Sequence, residues 1–208
     1  MSYYWKILNT KKEKDFFDKA YKEFYEKKTG QDVGLVLLDL VYFAIFNKKH
    51  EIIAGCKLAY SCKVKDSNSS TGHRFPIERY NDVYNLGIDV SEFVSEKDIF
   101  VELGRLFSTV KDKKAIRLLY ESLYSLFAYQ GIDFALVLIE QGIVRLLSKE
   151  KVEIELLQKQ PVKFPQDEYK GEYYLYKITH RITQEYKKAV AEGRELEYLL
   201  QLKDKSVE

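Results

Sequence analysis

Val101 to Ser108 reads V-E-L-G-R-L-F-S, a short apolar strand that carries a carboxylate and a guanidinium three residues apart. Side chains alternate along a strand, so Glu102 and Arg105 fall on opposite faces and need two different environments or a kink between them. Gly104 is where that kink is expected, because glycine inside a strand marks a bulge or a close approach of a ligand to the backbone. Downstream the pattern stays ordered. Helical spacing over Lys114 to Gln130 is followed by a strongly apolar strand over Ile132 to Glu140, a short helix over Gly142 to Lys149 and a strand over Val152 to Gln158.

Upstream, Tyr3 to Leu8 predicts an opening strand. Lys11 to Lys28 then places Phe16, Phe17, Ala20, Tyr21, Phe24 and Tyr25 at helical spacings with Lys and Glu between them, an amphipathic helix that Thr29-Gly30 ends. Val41 to Asn47 and Ile52 to Lys63 predict a hairpin around the polar turn Asn47 to Glu51. Lys65 to Gly72, K-D-S-N-S-S-T-G, is a loop by its small polar residues. A short helix is expected over Ile77 to Tyr84 and a helix start at Ser91. Ile116, Leu119, Tyr120, Leu123, Leu126 and Phe127 form the apolar stripe of the helix after the central strand. Phe134 to Ile139 is a run suited to a strand covered on both faces. Tyr173 to Thr179 alternates as a late strand, and Thr183 to Leu202 is charged and helical.

The 208 residues, 46% hydrophobic and 32% charged, suffice for one well-packed domain, and a single domain over 1–208 is the expectation. With 17 Tyr and 12 Phe against 1 Met and 1 Trp, apolar bulk comes from aromatics and branched aliphatics. The net charge of +2, from 34 basic and 32 acidic residues, is too balanced to indicate nucleic-acid binding. Cys56 and Cys62 share a face of one extended segment but stand too far apart to bridge, so both are read as reduced thiols. The run Val33 to Phe46 is too short to span a bilayer, and no secretory signal pattern opens the chain, so a cytoplasmic protein is expected. His50, His73 and His180 lack metal-ligand spacing, and no metal site is predicted. Ser69, Ser70 and Thr71 lack a nucleophile-elbow context.

The element order around E-L-G-R-L resembles the acyltransferases of the GCN5-related N-acetyltransferase (GNAT) superfamily. More narrowly it is similar to acyl-homoserine-lactone synthases and N-acyl amino acid synthases, whose central strand carries a pattern of the form E-L-S-R-F. Gly55-Cys56-Lys57-Leu58 sits where those families have a G-x-x-R-L turn into a strand. His73-Arg74-Phe75-Pro76-Ile77-Glu78 resembles a loop of some long-chain members, and Val144-Arg145-Leu146-Leu147 sits at their R-L-L helix. The resemblance implies an α/β (α+β) fold: a GNAT-like mixed, mostly antiparallel sheet with splayed central strands, flanked by helices. It also implies transfer of a fatty acyl group from a phosphopantetheine thioester, on acyl carrier protein or coenzyme A, to a small amino-acid-like amine, with no tightly bound cofactor.

By this resemblance Glu102 falls on the glutamate that helps deprotonate the incoming amine. A structural ion pair, with Arg105 or another cation, is the competing reading. Arg105 orients the site, since a guanidinium stays protonated at any working pH; bracing of neighbouring elements is the alternative. The backbone of Phe107, Ser108 and Thr109 stands where the family meets the oxyanion and the pantetheine arm. Lys111, Lys113 and Lys114 stand where coenzyme-A-dependent members carry a glycine-rich pyrophosphate loop, and both glycines are missing. The lysines would attract a phosphate or the acidic surface of an acyl carrier protein by charge alone. The missing glycines favour the carrier protein over acetyl-coenzyme A. Asp39 is an acceptor-binding candidate or a cap, and Phe100 is a candidate liner of an acyl pocket or a core residue. The helix Gly142 to Lys149 lacks the tyrosine that many acetyltransferases use to protonate the leaving thiolate, and Val101 replaces a tryptophan of the lactone synthases. Two rivals stand beside this reading: an acetyl-coenzyme-A-dependent acetyltransferase, and a non-catalytic binding relative.

Overall fold

The computed structural model describes residues 3–29, 40–60, 75–78, 81, 85–95, 97–141, 144, 152–162, 172–180, 185, 188–189 and 191–194. The strands are β1 (Tyr4–Leu8), β2 (Val41–Phe46), β3 (Ile52–Tyr60), β4 (Phe100–Ser108), β5 (Phe134–Glu140), β6 (Val152–Leu156) and β7 (Tyr173–His180), and the long helices are α1 (Lys11–Thr29) and α2 (Lys113–Tyr129). Hydrogen bonding orders the strands β1-β2-β3-β4-β5-β7-β6 in a seven-stranded sheet. β4 and β5 run parallel, while β1–β2, β2–β3, β5–β7 and β6–β7 are antiparallel. The mixed, mostly antiparallel sheet expected from the sequence is therefore present. The chain forms two compact units, one comprising 1–58, 105–131 and 182–208 and the other 59–104 and 132–181.

In the first unit α1 starts on a capping box. The Glu13 amide donates to Thr10 Oγ1 at 3.3 Å, and the Glu13 carboxylate accepts the Thr10 amide at 3.0 Å, so two helix-end donors are satisfied reciprocally. Phe17 and Tyr21 are the buried stripe of α1, with Ala20, Phe24 and Tyr25 partly buried beside them. Phe16, one residue off that stripe, is exposed, because each residue turns the helix by about 100°. The β2–β3 hairpin pairs Val41 with Leu58 through Ala44 with Gly55. Its turn is closed by Asn47 Oδ1, which accepts the Lys49 and Glu51 amides at 2.9 and 3.0 Å. β2 is buried from Tyr42 to Phe46 without alternation: Tyr42, Ala44 and Phe46 join the cluster with Leu8, Phe17 and Phe107, and α2 packs against β1 and β2.

Asp112 caps α2 by accepting the Lys114 amide, and Gly131, at φ 69, follows its end. Of the charged helix expected from Thr183 to Leu202, the described residues leave the helical conformation at Glu192–Gly193, and residues 195–202 lie outside the described residues. Arg194 N–H there bonds back to the Ala189 carbonyl at 2.8 Å while Gly193 takes φ 70, a left-handed turn that stops a helix.

In the second unit β5 is buried at Phe134 to Val137 and at Ile139, as the apolar run predicts. It pairs with β7 from Ala135↔Ile178 to Glu140↔Tyr173. The core here joins Ile77, Ile88, Val90, Phe100, Phe134, Leu136, Val162 and Leu175. Pro76–Glu78 are helical, in line with the start of the expected short helix, and the helix start at Ser91 is a 3-10 turn, Val90–Glu92, capped by Asp89. The parallel β4–β5 ladder covers Phe100↔Phe134, Val101↔Ala135 and Glu102↔Leu136, and each strand continues past those pairs. The loop 65–72, Cys62 and most of the short helix 142–149 lie outside the described residues.

Candidate functional site

Glu102, in the second unit, ends the β4–β5 ladder and is only 7% exposed. Its Oε2 accepts the Ile77 amide at 3.0 Å. Burial pushes the Glu102 carboxyl up to about 8 against the hydrogen bond from Ile77, and the nearby Glu78 charge adds to the rise. Glu78 itself accepts the Phe75 amide at 2.8 Å. The result is a carboxyl that exchanges its proton near neutral pH instead of a permanently ionised surface group. Phe100, two residues earlier, stacks on Phe75 at 4.7 Å and on Phe134 at 5.5 Å between ring centroids, in the core of this unit.

Arg105 lies in the first unit and takes φ 54. The kink expected at Gly104 is thus made by its neighbour. Gly104 stays outside the left-handed region, and a Cβ on it would meet no described atom within 4 Å. A non-glycine residue in that conformation is held there by its surroundings. The Arg105 guanidinium sits 5.2 Å from the centroid of the Tyr21 ring, a cation–π contact.

The same unit holds a buried polar cluster. Lys57, 2% exposed on β3, has its Nζ 2.5 Å from Asp18 Oδ1 and donates to the Tyr42 hydroxyl at 2.9 Å, and Tyr42 in turn donates to Asp18 Oδ2 at 3.0 Å. Burial lowers the Lys57 ammonium, with Asp18 opposing the shift and the Arg105 and Lys14 charges adding to it. Burial and the Asp18 charge together raise the Tyr42 phenol well above its ordinary range. Buried Cys56 is a free thiol, raised by burial.

Beyond Arg105, Phe107 is a core side chain, edge-on to Phe17 and Tyr21 at 5.3 and 5.4 Å. Ser108 Oγ donates to the Val110 carbonyl at 2.8 Å. The Thr109 amide and hydroxyl both donate to the Ile53 carbonyl, at 2.8 and 3.1 Å. Lys111, Lys113 and Lys114 are exposed. Between them Asp112 accepts the Tyr3 hydroxyl at 2.5 Å as well as the Lys114 amide, so a carboxylate occupies the N-terminus of α2. Asp39 lies outside the described residues. No group of three or more His, Cys, Asp or Glu side chains placed to hold a metal occurs among the described residues.

Lys57 and Asp18 were not singled out from sequence. The available signal was a lysine inside the apolar run I-I-A-G-C-K-L-A-Y and an aspartate between the buried Phe17 and Tyr21, two charges where burial is costly without a partner.

No family model matches the chain, and no curated protein matches it. Among solved structures, FeeM, an N-acyl amino acid synthase from uncultured soil microbes, is 13% identical, with a TM-score of 0.57 over 88% of this chain and 97% of that one. The acyl-homoserine-lactone synthase LasI is 12% identical, with a TM-score of 0.58 over 86% of this chain and 90% of LasI. BjaI, a coenzyme-A-dependent acyl-homoserine-lactone synthase solved with SAM and isopentyl-CoA, is 13% identical, with a TM-score of 0.53 over 93% of this chain and 82% of BjaI. The chain has the GNAT-like fold of these synthases. Within the GNAT-like fold, β4 carries Glu102 and Arg105, and α2 follows it directly. No helix among the described residues is long and apolar enough to cross a membrane.

Proposed function

We propose that the protein is an N-acyltransferase that moves an acyl group from a phosphopantetheine thioester to the amine of a small amino-acid-like acceptor, with Glu102 as the general base. The observation that carries this reading is the buried Glu102 carboxyl on β4, raised to about 8. An α-ammonium has a pKa of roughly 7.7–8.0, so an ordinary carboxylate near 4.5 is too weak a base to remove its proton, whereas one near 8 is matched to it. Glu102 takes one proton from the ammonium and releases it to solvent. The neutral amine nitrogen then attacks the thioester carbonyl, the C–N bond forms, the C–S bond breaks, and the second N–H proton passes to the leaving thiolate, giving amide and free thiol.

Arg105, in the first unit, is a candidate orienting residue through its fixed positive charge. The backbone at Phe107 and Ser108 receives the donor arm, while Thr109, bonded to Ile53, anchors the strand end. Phe100, in the second unit, is a candidate liner of an acyl pocket, and Asp39 is an acceptor-binding candidate. The donor is an acyl carrier protein in preference to free acyl-coenzyme A: the Asp112 carboxylate at the α2 N-terminus disfavours a diphosphate there, and exposed Lys111, Lys113 and Lys114 suit an acidic protein surface. The names of the structurally similar synthases, some of them coenzyme-A-dependent, support acyl transfer as the chemistry.

The test supplies acyl carrier protein and coenzyme A thioesters of graded chain length with a panel of amino acids and SAM, and reads thiol release together with the mass of the amide product. An N-acyl product that is lost in Glu102→Gln is expected. No thiol release from any donor overturns the reading.

A further inference from the structure

Helix α1 is pinned to β3 at two consecutive residues. At Phe17 the ring lies so close to Gly55 that a Cβ there would stand 2.5 Å from Phe17 Cε2. At Asp18 the carboxylate meets Lys57 Nζ, and Tyr42 on β2 closes a three-membered polar ring with both. The Phe17 contact is apolar and sets how near the helix approaches. The Asp18 contact is polar: the ion pair with Lys57 and the hydrogen bond from the Tyr42 hydroxyl together set how the helix is turned. Lys57 adds a cation–π contact, its Nζ 4.3 Å from the Tyr42 centroid, so its place is determined from two sides.

Tyr21 follows Asp18 by three residues and therefore lies on the same face of α1, one turn on. Its ring is edge-on to Phe107 at 5.4 Å and faces the Arg105 guanidinium at 5.2 Å. A rotation of α1 that swung Asp18 away from Lys57 would carry Tyr21 off Arg105 as well. Arg105 would lose the ring its guanidinium faces in that rotation, and an arginine at φ 54 is held by its neighbouring contacts. An apolar side chain of similar length at position 57 would fill the space with a smaller desolvation cost, but would not fix the helix rotation.

We infer that Lys57 is a positioning residue that sets the Arg105 guanidinium through Asp18 and Tyr21 of α1. The inference rests on the proposed role of Arg105 in an acyltransferase, and adds what holds that residue in place.

The experiment reads the guanidinium Nε–Hε resonance of Arg105, assigned by its disappearance in Arg105→Lys, in the full-length protein. Tyr21→Leu defines the resonance position without the ring. In Lys57→Met the resonance is expected to move to that position, and in Lys57→Arg to stay near its native one. In parallel, kcat for acyl transfer falls roughly 10- to 100-fold in Lys57→Met with donor KM unchanged, the size expected when a catalytic group is misplaced by about 1 Å, and Lys57→Arg recovers most of it. Should Lys57→Met not fold, Asp18→Asn, at a carboxylate one-quarter exposed, takes the same comparison. An Arg105 resonance unmoved by loss of the Lys57–Asp18 pair overturns the inference whatever the kinetics show. A wild-type protein inert toward every thioester overturns the acyltransferase reading instead, and the resonance then decides the positioning role.

Discussion

The Glu102 carboxylate accepts a hydrogen bond from the Ile77 amide at 3.0 Å, across 25 residues of sequence. That bond stabilises the ionised form, yet burial dominates and the carboxyl is pushed up to about 8. Only the deprotonated form takes a proton from an amine. Accordingly kcat/KM should rise with pH to a plateau through about pH 8, and Glu102→Gln should lose activity and that limb together. A pH–rate profile that is flat from 6 to 9 would remove Glu102 from the role of base.

The same group links stability to pH. Its folded value near 8 lies above the value of 4.5 expected in the unfolded chain, so between them the folded state binds the extra proton. The contribution is fully present below about pH 4.5 and is lost as pH rises through about 8, at up to roughly 1.4 kcal/mol per pH unit. Glu102→Gln keeps an acceptor for the Ile77 amide and carries no charge. Urea denaturation across pH 5 to 9 should therefore show a shallower decline in the variant, with its advantage over wild type largest at the alkaline end.

Lys57 and Asp18 form a pair whose two halves are costly to separate. Lys57→Met leaves Asp18 and the Tyr42 hydroxyl without the ammonium, and should destabilise by about 3 kcal/mol, the usual cost of breaking a buried pair from one side. Asp18→Asn alone should cost less, since that carboxylate is partly exposed. In the double variant the two losses should fall short of their sum by about 1–3 kcal/mol in a double-mutant cycle. Simple additivity would mean that the two side chains do not interact in solution.

Arg105 permits backbone strain to be separated from side-chain contact. Arg105→Gly and Arg105→Ala both remove the guanidinium over Tyr21, but only glycine adopts φ 54 freely. The glycine variant should be more stable than the alanine variant by about 1 kcal/mol, and both should be inactive. Gly104→Ala, in contrast, should be close to neutral in the same denaturation assay, because nothing described crowds its Cβ.

Asp112 offers a test of the donor. Asp112→Asn keeps the cap on α2 and removes the negative charge. If that carboxylate disfavours a diphosphate, titration calorimetry should show coenzyme A binding tighter by roughly two- to fivefold, the scale of one charge at a helix end. Unchanged affinity would place the phosphates of coenzyme A elsewhere.

Local patterns in the sequence determined most of the element order. The apolar stripe after Lys11, the Asn47 turn, the unbroken run of β5 and the E-L-G-R strand are each written within a few residues, because periodicity and turn chemistry act locally. The left-handed turn at Gly193 was local too, but a glycine within a charged stretch was outweighed by the helical pattern around it. Only the tertiary structure decided who meets whom: Ile77 on Glu102, Asp18 and Tyr42 on Lys57, Tyr21 on Arg105. It also decided that the strand turns at Arg105 and not at Gly104. A glycine makes a left-handed residue cheap locally, but neighbouring contacts can impose one on an arginine. Such contacts join residues far apart in the chain, and burial, which sets the charge state of Glu102, is a property of the packed surroundings that no short stretch of sequence encodes.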